Sequence, residues 1–187
     1  MTSIIFLDLN TNLKQISIEH AVGHERFASR VQRGSRVKMV GIVSGLEFQT
    51  LVHSTEDPAR VRAALVNAIL PLDPDAIRIL SREMRGHYKN SLILLRGKIE
   101  DEYLLKRTLQ HISTKLTVAD KEVIASRFDL MSDKAGSLYL RFDKQMAYVG
   151  DIRLGRHDPV RVKIKFSPRY VRSRGVYSLC KEIGIVP

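Results

Sequence analysis

A chain of 187 residues, 44% of them hydrophobic and 27% charged, can bury one substantial core, which excludes a disordered chain. Its 31 Lys and Arg against 20 Asp and Glu leave a formal charge of +11, which favours a polyanionic partner such as nucleic acid or, less often, an anionic membrane surface. The single cysteine, Cys180, excludes an intramolecular disulfide; the apolar runs are shorter than the roughly 18 residues of a membrane span, and MTSIIFLDLN lacks a basic signal region, so a cytoplasmic protein without a membrane partner is expected.

Along the chain, residues 1–36 read as an amino-terminal extension with one strand at Ile4 to Leu9, and orderly patterning starts at Val37. Residues 37–53 are rich in Val, Leu and Phe and predict a strand, with Gly41 or Gly45 allowing a bend or bulge. A helix follows, with Asp57 at the N-cap, Pro58 at the first helical position and Val61, Leu65, Ala68 and Ile69 on one face; Pro71 and Pro74 stop it. Residues 76–84 and 91–99 flank GHYKN and predict an antiparallel hairpin. In DEYLLKRTLQHISTKL the residues Leu105, Leu109, Ile112 and Leu116 recur at helical spacing and make one stripe for a sheet to cover. Thr117 and Asp120 can cap a second helix over 118–127, with Ile124 and Phe128 packing inward.

LYLRF (138–142) and VRVKIKF (160–166) are alternating strands joined by a connection, and residues 167–187 form a basic C-terminal tail with a helix around Gly175 to Ile183. The expected order is β-α-β-β-α-α-β-β-α. It defines an α+β domain over 37–166, a mainly antiparallel sheet with helices packed on one face.

The two alternating strands carry the functional signal. Val160, Val162, Ile164 and Phe166 point one way, and Arg161, Lys163 and Lys165 the other. The same parity puts Tyr139 and Arg141 opposite Leu138, Leu140 and Phe142. Residues 141–187 contain eleven Lys or Arg against four Asp or Glu, so most of the net positive charge sits in the last quarter of the chain, where Arg169, Arg172 and Arg174 flank the strands. Cations on one strand recur at about 6.7 Å, twice the rise per residue, a spacing commensurate with successive phosphates. One such strand alone is ordinary surface design; the bias of the whole C-terminal quarter is what favours a nucleic-acid surface.

Catalytic signatures are absent: no phosphate-binding glycine loop, no HExxH and no CxxC. His20 and His24 are the single pair at helical metal-ligand spacing and lack a third ligand nearby, His53 reads as a strand-end residue, and His111 as a helix-surface residue. No catalytic residue, metal or cofactor is expected.

LVHSTED (51–57), GHYKNS (86–91) and above all LYLRFDKQMAYVG (138–150) followed by DPVRVKIK (158–165) resemble an archaeal RNA-binding family described as predicted exosome subunits. The resemblance covers roughly residues 37–166. It implies an α+β fold likened to double-stranded-RNA-binding domains and to the 5S-rRNA-binding ribosomal protein, with a role in RNA processing. The hairpin turn departs from the family's GHFGNP at Tyr88, Lys89 and Ser91.

Within LRFDKQ, Asp143 suits a local pair with Arg141 or Lys144, or a turn cap, leaving Lys144 and Gln145 as RNA contacts. The expected RNA-binding set is therefore Arg141, Lys144, Gln145, Arg161, Lys163, Lys165, Arg169, Arg172 and Arg174. The leading reading is a non-catalytic protein that contacts the backbone of a structured or double-stranded RNA, accessory to RNA processing or the exosome. A protein-interaction module of a larger ribonucleoprotein or ribosome-assembly complex competes with it.

Overall fold

The computed structural model describes residues 41–69, 77–86 and 91–187. The extension 1–36 with its strand at Ile4 to Leu9, the pair His20 and His24, the start of the first strand, Pro71 and Pro74, and most of the GHYKN turn lie outside the described residues. The elements run β1 (Val43–Val52), α1 (Pro58–Ile69), β2 (Ile79–Arg85), β3 (Ser91–Ile99), α2 (Glu102–Lys115), α3 (Val118–Ser126), α4 (Phe128–Met131), β4 (Ser137–Phe142), α5 (Lys144–Tyr148), β5 (Val160–Phe166), α6 (Pro168–Arg174) and α7 (Val176–Glu182). This is the expected α+β class. Three short helices, α4, α5 and α6, are additions to the expected order; α4 and α5, at four and five residues, are too short to establish a helical period.

All the strands pair antiparallel in the order β2-β3-β1-β5-β4. The bulge expected near Gly45 is present, a register shift between Val43 and Gly45 against β5. The outer edge of β4 is blunted by single bridges from Ser132 and Leu154. Gly97 on β3 packs directly on Phe48: a Cβ there would lie 2.3 Å from the Phe48 ring, so any larger residue would force the ring or the backbone to shift.

One side of the sheet is apolar and holds the core. Phe48, Leu138, Leu140, Phe142 and the β5 set Val160, Val162, Ile164 and Phe166 are all buried there, together with the α1 residues Val61, Leu65, Ala68 and Ile69 and the whole α2 stripe of Leu105, Leu109, Ile112 and Leu116. Local caps set the helix starts. Asp101 accepts from the Leu104 N–H, and Thr117 and Asp120 form the expected reciprocal box. His111 departs from its expected surface position: it is half-buried, with Nε2 3.0 Å from the Asn67 carbonyl of α1, and burial lowers its pKa.

Residues 167–187 are not a tail appended to the domain. Leu179, Cys180, Ile183, Ile185 and Val186 are buried in the same core as the sheet, while the arginines of α6 stay outside. Basic composition hid this, because cations and apolar residues fall on consecutive short helices rather than alternating. Burial also pushes the Cys180 thiol up to about 12. At pH 8 a small thiol reagent should therefore leave Cys180 unmodified in the folded protein and react fully once the chain is unfolded in guanidinium; fast labelling of the native state would place Cys180 at the surface.

Candidate nucleic-acid interface

The other side of the sheet carries most of its charged residues; Ser81, Glu83 and Arg85 of the outer strand β2 share the register of the core side instead. Register places the residues of the open side in rows. One row crosses all five strands, Leu80 to Arg96 to Gln49 to Arg161 to Arg141, each a direct cross-strand neighbour of the next. The adjacent row runs Lys98, Glu47, Lys163, Tyr139. Adjacent strands lie about 4.8 Å apart and successive rows about 6.7 Å. Arg82 on β2 and Arg78 just before it extend the charge to that edge of the sheet, and among the described strand residues Glu47 is the acidic side chain that shares this face.

The cations differ in how far they are already neutralised. Lys165 binds the Glu47 carboxylate, and that hydrogen bond holds the carboxyl below its ordinary value. Lys98 pairs with Glu100 at 2.6 Å. Lys163 lies 5.0 Å from the centroid of the Tyr139 ring, and the Tyr139 hydroxyl donates to Asp133 at 2.7 Å. Among the described residues Arg78, Arg82, Arg96, Arg141 and Arg161 have no carboxylate partner. Arg141 and Arg161 even face each other directly, an arrangement that opposes strand pairing. The face encloses a depression of about 840 Å³ bounded by Arg78 and Leu80 on one side and by Tyr139, Arg141 and Leu130 on the other.

The expected RNA-binding set divides into parts. Arg141, Arg161, Lys163 and Lys165 share the open face. Arg169, Arg172 and Arg174 are exposed on α6, beyond the end of β5, and Arg174 is taken up by Glu182 at 2.6 Å and by the Tyr170 ring. Gln145 is exposed on α5, which packs against α1, and is not among the residues lining the depression. Arg78, Arg82, Arg96 and Lys98 were missed. The alternation of Leu94, Arg96 and Lys98 with Leu95, Gly97 and Ile99 signals their parity, but only the sheet order brings this hairpin beside β1.

Lys144 corrects the expectation for it. Its side chain is 4% exposed, and its ammonium donates to the Leu51 carbonyl at 2.8 Å, to both Glu56 oxygens at 2.9 and 3.1 Å, and to Asp158. His53 Nε2 lies 3.1 Å from Asp158, whose backbone φ is +41°. Asp143 takes the capping role, accepting from the Met146 N–H at 2.9 Å and so starting α5 where Lys144 turns inward. The residues that meet here come from LVHSTED, LRFDKQ and DPVRVKIK, so the stretches that carry the family resemblance converge on one ion cluster. Donor atoms of His53, Glu56 and Asp158 lie within 4.8 Å of one another, a spacing that would suit a metal. The Lys144 ammonium instead bridges both carboxylates.

A one-sided antiparallel sheet with helices over its apolar face and arginines along its open face defines the structural class of this protein. The chain belongs to the RNA binding family, whose sequence model matches residues 45–166. It is 27% identical over 140 residues to the RNA-binding protein PAB1135 of Pyrococcus abyssi, covering 73% of this chain and 90% of that protein. Among solved structures, protein AF2318 of Archaeoglobus fulgidus superposes with a TM-score of 0.65 at 25% identity, covering 75% of this chain and 99% of that one. Mth689 of Methanothermobacter thermautotrophicus gives 0.59 at 26% identity over 76% and 98%.

Proposed function

We propose that this protein is a non-catalytic RNA-binding protein that holds the backbone of a folded RNA on the open face of its sheet, as an accessory to RNA processing or the exosome. The observation that carries the reading is the Arg96, Arg161 and Arg141 row. Arginines set opposite one another without a carboxylate work against strand pairing, and a phosphate backbone relieves that repulsion while accepting their hydrogen bonds. The family membership and the name of the Pyrococcus abyssi relative point the same way. The exosome and processing role rests on the resemblance of LRFDKQ and its neighbouring motifs. Enzymatic use of the His53, Glu56 and Asp158 cluster is disfavoured because Lys144 engages both carboxylates, leaving neither free as a base or metal ligand.

Backbone contacts are sequence-neutral and release counterions, so affinity should fall steeply with salt and depend little on base identity. The test is a titration of RNAs of unrelated sequence, and of duplex DNA, at two salt concentrations. Salt-insensitive binding, or preference for an acidic protein over every RNA, would overturn the reading.

A further inference from the structure

Phosphates alone do not explain the open face. Tyr139 is 42% exposed on it, and Leu130, 86% exposed, lines the same depression from α4, with Leu80 at 45% on the far side. A regular duplex presents a convex, fully hydrated sugar–phosphate surface to a protein, and apolar side chains in a concavity gain nothing from it. Unpaired nucleotides offer both kinds of surface, a flat base for the apolar groups and flanking phosphates for the cations. Tyr139 is preorganised for the first task. Its hydroxyl is tied to Asp133 at 2.7 Å and Lys163 rests against its ring, so little rotamer freedom is lost when a base stacks on it. Arg141 and Arg161 lie immediately beside it for the second.

We infer that the depression takes unpaired nucleotides of RNA, with a base lodged against Tyr139 and Leu130 and the adjoining phosphates on Arg96, Arg141 and Arg161. This rests on the RNA-binding reading above and names the RNA element bound: a single-stranded, looped or bulged segment of a folded RNA, in place of an uninterrupted duplex.

Fluorescence anisotropy with a 12-nucleotide oligouridine, a blunt 12-base-pair RNA duplex and the same duplex carrying three bulged nucleotides separates the two claims. The single strand and the bulged duplex should bind about 10-fold or more tightly than the blunt duplex at equal salt. Tyr139→Ala should weaken both by roughly 5- to 100-fold, the range for loss of one stacked base, and leave the blunt duplex nearly unchanged. Tyr139→Phe keeps the ring and should retain most of the affinity. Leu130→Ser is safe for folding at an exposed position and should weaken the same two ligands. If the blunt duplex binds as tightly as the others and neither Tyr139→Ala nor Leu130→Ser discriminates among them, the inference falls; the RNA-binding reading then stands provided Arg161→Ala weakens all three. If none of the RNAs binds, both fall.

Discussion

Replacing Lys144 by methionine is expected to lower folding stability by about 3 kcal/mol, the low end of the range for breaking a buried ion pair. Methionine keeps the apolar stem, so the loss isolates the ammonium. Without it, the Glu56 and Asp158 carboxylates face one another with no ammonium between them and keep only their contacts to His53, and the Leu51 carbonyl loses its 2.8 Å donor. The low end applies because Glu56 and Asp158 remain 21% and 37% exposed and water can reach them. Urea denaturation of Lys144→Met, with Lys144→Met/Glu56→Gln beside it, gives the coupling directly. Removing one of the two stranded charges should recover about 1 kcal/mol or more. At temperatures where it stays folded, Lys144→Met should bind RNA with unchanged affinity. A stability change below about 0.5 kcal/mol together with weakened RNA binding would return Lys144 to the role its place in LRFDKQ suggests.

Lys144 also shows why part of the site was legible in the sequence and part was not. The parity of VRVKIKF and LYLRF is a local property, and it placed Arg141, Arg161, Lys163 and Lys165 on one face and their apolar neighbours in the core. The α2 stripe and the Thr117 and Asp120 box were equally local. The partners of Lys144, by contrast, lie 88 residues away at Glu56 and 14 residues away at Asp158, and nothing within LRFDKQ distinguishes a lysine that turns inward from one that turns out. The same limit hid half of the charged face. Counting charge along the chain concentrates it in the last quarter. The sheet order, however, sets the β2–β3 hairpin on the far side of β1, so Arg96 meets Gln49 and joins the row of Arg161 and Arg141 from a distant part of the chain. Pairing on the sheet also separated residues that composition treats alike, since Lys165 is held by Glu47 while Arg161, four residues earlier, has no carboxylate partner among the described residues.

That separation identifies the substitutions with the largest effect on RNA. Changing Arg96, Arg141 and Arg161 together to alanine is expected to reduce RNA affinity on the order of 100-fold near 0.1 M salt, taking about 1 kcal/mol for each charge-assisted contact. The magnitude of the log–log salt slope should drop by about 2 to 3, because each lost phosphate contact removes about 0.7 to 0.9 of a unit. Folding stability should be unchanged or slightly higher. Each side chain is exposed and without a carboxylate partner among the described residues, and the facing arginines of β4 and β5 repel across the ladder by a few tenths of a kcal/mol. Arg169→Ala/Arg172→Ala is the matched control, since it removes exposed charge from α6 and leaves the open face intact. A face-specific site requires the sheet variant to lose far more affinity per charge removed than the α6 variant. Equal losses per charge would mean that the protein attracts RNA through its net charge alone, and an unchanged slope in the sheet variant would mean that these arginines meet no phosphate.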